Sequence, residues 1–300
     1  MQNPFEIFLH PPVHFEPNLE TFKNNQFQKE INYHNDYQII ACNEFNELIN
    51  KLHENKIAHH ILLPSTKCKS PDALFLNNWF SILPSKKLLI YPMWAKNRRT
   101  EVDSEKINQI LNHTLIDEIL DFRNQEKTLG YCEGTGSLIF DHEQKKVFGC
   151  ISERTSPALV DHIGKEIGYN PIVFEALDTN GFQIYHTNVM LSIGQHIVFI
   201  CSESIENILE RKLVMKHLNV RDREIIEINY AQMNSFLGNV FEVNNMVGTP
   251  ILCMSSTAKN ALNQKQLKQI TKHCDILEVA IPTIESVGGG SVRCMMAGHY

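Results

Sequence analysis

The chain has 300 residues, 43% hydrophobic and 21% charged, with a formal net charge of -6. That is enough apolar material for a sizeable core, and it offers no clustered Lys and Arg for a phosphate-binding groove, so nucleic acid is excluded as a partner. No apolar run approaches the roughly eighteen residues that span a bilayer, and Met1-Gln-Asn-Pro-Phe5 has neither a basic nor an apolar leader region, so no membrane contact and a cytoplasmic location are expected.

Phe5 to Leu9 reads as a short strand, followed by a polar, Asn-rich loop over Pro11 to Gln38 that is long enough to be a cover for a site or plain surface decoration. Phe45, Leu48, Ile49 and Leu52 recur at helical spacing within Cys42 to Glu54, and His60 to Leu63 then reads as a buried strand. Strands at Ala73 to Leu83 and Lys87 to Met93, parted by Pro84-Ser85, precede a helix over Val102 to Leu115 and a strand near Ile119. The same order recurs at Ser137 to Phe140, Val147 to Ile151, a helix over Ser156 to Ile167 closed by Gly168, and Ile172 to Phe174. It recurs again at Gln183 to Leu191, His196 to Cys201, helix Ser204 to His217 and strand Glu224 to Ile228. A fourth copy runs through Asn239 to Val243, Ile251 to Met254, helix Gln264 to His273 and Ile276 to Val279. The fifth is split: its hairpin is completed by Ser291 to Ala297, and its helix and last strand are the unit over 42–63. Hairpin-helix-strand units repeating every fifty to sixty residues or so, with little repeat of sequence, point to a closed radial α/β arrangement in one domain, residues 1–300.

The eight cysteines (42, 68, 132, 150, 201, 253, 274, 294) contain no CxxC pair and no Cys/His cluster at zinc spacing, so reduced thiols, no metal and no cofactor are expected. Cys294 stands apart from the others. Gly288-Gly-Gly290 allows positive φ and close backbone approach just ahead of it, as a nucleophile requires, although Val292, Met295 and Met296 beside it also suit a small core hydrophobe. Polar groups interrupt the other units at nearly the same place. Asp72, Asn77 and Asn78 lie in one, Glu133 beside Gly134 and Gly136 in the next, and His186 and Asn188 in the third, where i and i+2 on a strand share a face. Glu, His and Cys at unit-equivalent positions are the parts of a thiol-based hydrolase.

These stretches resemble the guanidino-group-modifying superfamily, the pentein-fold enzymes that include arginine deiminases, dimethylarginine hydrolases, succinylarginine dihydrolase and amidinotransferases. Over essentially the whole chain the resemblance is carried by Asp72-Ala-Leu-Phe75, Arg98-Arg99-Thr-Glu101, Glu133-Gly-Thr-Gly136, Ser152-Glu-Arg154-Thr, His186-Thr-Asn188 and Gly288 to Cys294, in that order. Phe75-Leu-Asn-Asn-Trp-Phe-Ser and Glu133-Gly-Thr-Gly-Ser look most like the bacterial branch of amidinotransferase-type or citrulline-utilisation hydrolases. The resemblance implies a five-bladed β/α-propeller of ββαβ units. It implies that Cys294 attacks the central carbon of a guanidino or ureido group, with Glu133 accepting hydrogen bonds from its nitrogens. His186 then protonates the departing amine and activates water, and Asp72, Asn78 and Asn188 bind the substrate. A cationic His186 or a cationic substrate would serve to activate the thiol. Arg98 or Arg99, with Arg154, would hold the substrate's α-carboxylate, although these arginines are equally at home in solvent. The chain departs from arginine deiminases in having Asn78 and Asn188 where they carry Asp. The missing charge favours an arginine-derived small molecule with a neutral ureido group, citrulline first, over arginine. An amidinotransferase and a binding propeller without turnover are the alternatives, and the chain leaves homo-oligomerisation open.

Overall fold

In the computed structural model, which describes residues 1–29, 36–220 and 223–300, the apolar runs form five three-stranded sheets of identical topology. Residues 30–35 of the long N-terminal loop lie outside the described residues. Strand β1 (Glu6–Leu9) runs parallel to β2 (Ala58–Ile61), with helix Tyr37–Glu54 as the crossover. Strands β3 (Phe80–Ile82) and β4 (Lys87–Ile90) form a hairpin, and β5 (Glu118–Asp121) returns parallel to β4. The pattern repeats in β6 (Leu138–Asp141), β7 (Lys146–Cys150) and β8 (Asn170–Phe174). It repeats in β9 (Leu191–Ile193), β10 (Ile197–Ile200) and β11 (Glu224–Glu227), then in β12 (Phe241–Asn244), β13 (Pro250–Ser255) and β14 (Asp275–Val279). Strand β15 (Ala297–His299) closes the ring by pairing antiparallel to β1, with Glu6 opposite His299 and Phe8 opposite Ala297. This is the expected split fifth unit.

The crossover helices end where local chemistry dictates. Asp36 accepts a hydrogen bond from Ile39 N at 3.2 Å, so the first helix starts at Tyr37, five residues ahead of the position its apolar period marks, and buries Ala41, Phe45, Leu48 and Leu52. Helix Pro157–Ile167 opens on a proline and closes on Gly168, whose φ of 72° is the left-handed conformation that glycine adopts without strain. No helix among the described residues is long and apolar enough to cross a membrane.

The strands that were expected to carry the polar residues are shorter than their apolar runs suggest. Instead of strands over 73–83, 183–191 and 291–297, the chain forms 3-10 turns at Leu76–Asn78, Thr187–Val189 and Val292–Met295, and the strand follows each turn. His186 and Asn188 therefore do not share a strand face. The physical reason is backbone accounting: these segments are buried with no partner strand alongside, and short local bonds such as Val189 N to His186 O (3.2 Å) and Cys294 N to Ser291 O (2.9 Å) satisfy their amides. Gly134–Ser137 makes the equivalent turn before β6.

Candidate active site

The turns that precede the first strand of each hairpin pack against one another, Gly134–Ser137 touching both Leu76–Asn78 and Thr187–Val189, and Leu76–Asn78 touching Val292–Met295. Each therefore delivers its polar side chains to one place. Asp72, Asn78, Glu133, His186, Asn188 and Cys294 are all at most 5% exposed.

Glu133 and His186 form the closest polar contact of the group. The carboxylate takes His186 Nε2 at 2.8 Å on one oxygen and Trp94 N at 2.9 Å on the other, with Arg154 Nη1 3.7 Å away. Burial alone would raise the Glu133 carboxyl, but Arg154, the His186 hydrogen bond and Arg98 outweigh it and hold it down to about 2. His186 is driven the other way from a cation: burial, which its bond to Glu133 only partly offsets, lowers it to about 4. It is thus neutral near pH 7, donates its Nε2 hydrogen to Glu133 and keeps a lone pair on Nδ1. Of the two thiol activators expected, a cationic His186 or a cationic substrate, the first is here a neutral base. Gly136 makes room for this ring, since a Cβ there would stand 2.8 Å from Nδ1 and Cε1 and would also collide with Asn78 Nδ2.

Asn78 has its orientation imposed. Its Oδ1 accepts from Arg98 Nη1 at 2.8 Å, which leaves the Nδ2 donor turned away from Arg98, buried and without a protein partner. Arg98 itself is fully committed. Nε binds Glu101 at 2.7 Å, and Nη2 binds Phe75 O at 3.1 Å and Glu101 at 3.1 Å, so each of its nitrogens has a partner and it has no fork to offer a carboxylate. Burial would lower the guanidinium, but Glu101 and Asp72 more than restore it. Arg99 is also diverted, to Met93 O at 3.1 Å, Tyr131 Oη at 3.0 Å and Glu126 at 3.3 Å. The expectation that Arg98 or Arg99 holds an α-carboxylate fails because both are engaged by the fold. Arg154 differs from them. It is sandwiched between the rings of Trp94 (5.6 Å) and Tyr185 (5.0 Å), bonded to Asn24, and its buried Nε has no partner. A cavity of about 760 Å³ opens beside it, lined also by Asn24, Trp94, Phe182 and Tyr185.

Two acceptors join the Asn78 donor among the buried atoms without a protein partner. Asp72 Oδ2 takes Asn18 Nδ2 at 2.7 Å, leaving Oδ1 open, and Asn188 turns Nδ2 toward Cys294 Sγ at 3.4 Å, leaving its Oδ1 open. Burial raises the Asp72 carboxyl, although Arg98 and the Asn18 bond pull against it.

Cys294 sits on its 3-10 turn behind a glycine stretch seated on Phe75. A Cβ at Gly288 would stand 2.7 Å from that ring, and one at Gly290 2.9 Å. Gly289 takes the left-handed φ of 68°. The stretch is also roofed by the N-terminal segment. Asn25 donates to Gly289 O at 3.3 Å, Gln28 to Val287 O at 3.2 Å and Tyr185 Oη to Gly289 O at 2.8 Å. The sequence reading missed these contacts of Asn18, Asn25 and Gln28, and it missed Asn239. Asn239 ends the turn after Phe236, bonds Asn188 O at 3.0 Å, and lies 3.3 Å from Cys294 Sγ. The available signal was positional, since Asn239 precedes β12 as Asn78 precedes β3 and Asn188 precedes β9.

The family model for N,N dimethylarginine dimethylhydrolase, eukaryotic, matches residues 11–300. No curated protein matches the chain in sequence. Among solved structures, the substrate-bound N-terminal domain of ArgZ, an arginine dihydrolase of the ornithine–ammonia cycle in cyanobacteria, superimposes with a TM-score of 0.75 at 14% identity, over 98% of this chain and 97% of that one. The chain spans 40% of a longer ArgZ chain. A citrulline complex of the corresponding dimethylarginine enzyme from Pseudomonas aeruginosa superimposes at 0.66 with 14% identity, over 99% and 100% of the two chains. At such identities the likeness shows the fold, a pentein propeller.

Proposed function

The chain belongs to the eukaryotic-type N,N-dimethylarginine dimethylhydrolase family of guanidino-modifying hydrolases, and from that premise we propose that it is a cysteine hydrolase of an arginine-derived amino acid, acting on a ureido group such as that of citrulline. The observation that carries the substrate choice is the orientation of Asn78: Arg98 pins its oxygen, so what remains is a donor. A ureido group has one oxygen to accept it, and its nitrogens can donate to Asp72 Oδ1 and Asn188 Oδ1; a guanidinium has no acceptor for Asn78.

Catalysis then runs in two steps. The Cys294 thiol gives its proton to Nδ1 of neutral His186 and Sγ bonds to the ureido carbon. The terminal C–N bond breaks and ammonia leaves with the proton returned from His186, which makes a thiocarbamate on Cys294. His186 next takes a proton from water, whose oxygen displaces sulfur, and the resulting carbamate loses carbon dioxide to give ornithine. Glu133 keeps His186 in the required tautomer, and the free Nε of Arg154 suits the substrate's α-carboxylate. Relatives bear on the substrate only by analogy: the ArgZ structure is of an arginine dihydrolase, and the Pseudomonas enzyme was crystallised with citrulline. Transfer of an amidino group to an amine remains the second reading, because the 760 Å³ cavity beside Arg154 has room for another small amine.

The test is ammonia release from citrulline, arginine and dimethylarginine at equal concentration, with and without glycine. Citrulline is expected to turn over fastest and to yield ornithine, glycine to leave the products unchanged, and Cys294→Ser to lower the rate by roughly a thousandfold or more. Preference for arginine removes the ureido assignment, and a glycine-dependent product makes the protein a transferase.

A further inference from the structure

We propose that Asn239 is a catalytic residue, whose side-chain amide, with that of Asn188, holds the Cys294 sulfur as a thiolate. The proposal rests on Cys294 being the nucleophile. Its basis is the set of groups that touch Sγ. Among the described residues the side chains hydrogen-bonded to it are two carboxamides: Asn188 Nδ2 at 3.4 Å, and Asn239, with Nδ2 at 3.3 Å and Oδ1 at 3.5 Å. The Asn239 amide is held by a second bond, since Nδ2 also donates to Asn188 O at 3.0 Å, so one of its hydrogens fixes the group and the other is free for sulfur. Such an amide serves both states of the sulfur, with Oδ1 accepting from the thiol and Nδ2 donating to the thiolate.

Among the described residues no cation is hydrogen-bonded to Sγ, although Arg293 is close enough to interact with it electrostatically. Arg293, next in the chain, lies 4.0 Å from the Phe241 ring and donates to Met296 O at 2.7 Å. Arg98 is held by Glu101 and Asn78, Arg154 turns Nη1 to Glu133 and Nη2 to Asn24, and Tyr185 donates to Gly289 O. His186, neutral near pH 7 until it takes up the thiol's proton, donates to Glu133 and makes no bond to Sγ, while Asp72 and Glu133 are themselves anionic or acceptors. A thiolate here draws its stabilisation from amide donors, and a charge-assisted bond of this kind changes the ionisation equilibrium by about tenfold, one pH unit.

The consequence has a recognisable signature. Without Asn239 the thiolate becomes scarcer at neutral pH but, being more basic, more nucleophilic, because nucleophilicity rises with about half the change in basicity. In Asn239→Ala the pH profile of ammonia release should move up by about one unit. The rate should fall about threefold near pH 7 and match or exceed wild type on the alkaline plateau. Asn239→Asp keeps the side-chain size but sets a carboxylate against sulfur, and should move the profile further the same way. The second readout needs no substrate: iodoacetamide alkylation of Cys294 across pH by intact mass, with Cys294→Ser subtracting the other thiols, should show the same displacement in both variants. Inflections that stay at the wild-type pH in both variants, or a rate lost equally at every pH, overturn the proposal and leave Asn239 as a support for the Asn188 turn. If citrulline is not a substrate, the alkylation arm still decides; if wild-type Cys294 shows no thiolate inflection at all, the nucleophile reading falls first.

Discussion

Arg98 acts at one remove, because its hydrogen bond decides which end of Asn78 is left without a partner. With Asn78→Asp the same bond would be kept, but the inward atom would become an acceptor with negative charge. It would repel a ureido oxygen and compensate a guanidinium. The ratio of citrulline to arginine turnover is then expected to fall by about tenfold, equivalent to about 1.4 kcal/mol of differential transition-state binding. Ammonia release from each amino acid at matched pH measures it, and an unchanged ratio removes Asn78 from substrate selection. At this scale the sequence is a good guide wherever a polar residue breaks an apolar run, as Asp72, Asn78, Glu133, His186 and Asn188 do. It is a poor guide to the arginines, whose engagement depends on partners such as Tyr131 and Glu126 that no spacing rule relates to Arg99. Asn239 opens its apolar run instead of interrupting it, and its bond to Cys294 spans 55 residues, so only its place ahead of β12 marks it.

The N-terminal segment and the glycine stretch act as a pair of elements. Asn25 and Gln28 hand hydrogen bonds to the Gly289 and Val287 carbonyls of the segment that leads to Cys294, and Asn18 reaches Asp72. Asn25→Ala deletes one of these ties, worth about 0.5–1.5 kcal/mol, while Tyr185 still satisfies Gly289 O. The expected result is a KM raised by up to about tenfold with kcat within about twofold, as befits a cover that retains substrate. Steady-state kinetics on the variant checks this; a fall in kcat at constant KM would mean that the segment aligns the thiol instead. The helices and hairpins were legible because their periods of apolar residues are local. The 3-10 turns were not, since they exist to satisfy buried amides in a context that only the neighbouring units create, and the roof bond from Asn25 to Gly289 spans 264 residues.

Across the whole molecule, burial of neutral imidazoles ties stability to pH. His142 is packed against Phe140, Tyr169 and Tyr300, bonded to Tyr169 Oη at 3.0 Å, and lowered by burial foremost to about 3. As pH falls below about 6.5 the unfolded chain gains a proton there that the folded chain refuses, so stability is full above that pH and drains away toward pH 3. His142→Gln retains a partner for Tyr169 and removes the titration. Its unfolding free energy, from urea curves at pH 7 and pH 5, should therefore drop less than the wild type's, by about 1.4 kcal/mol for each pH unit crossed below 6.5. Parallel profiles would show that this imidazole is charged in the fold. The pairing of β1 with β15 matters in a different way. It joins residues from opposite ends of the numbering, Glu6 with His299, and the turn that carries Cys294 runs directly into β15. Contacts of such long range are the slowest to form, because a large loop must close before any of them repays its entropy. The last seam of the ring and the turn that carries Cys294 therefore arrive together, so chains caught part-way through folding lack both.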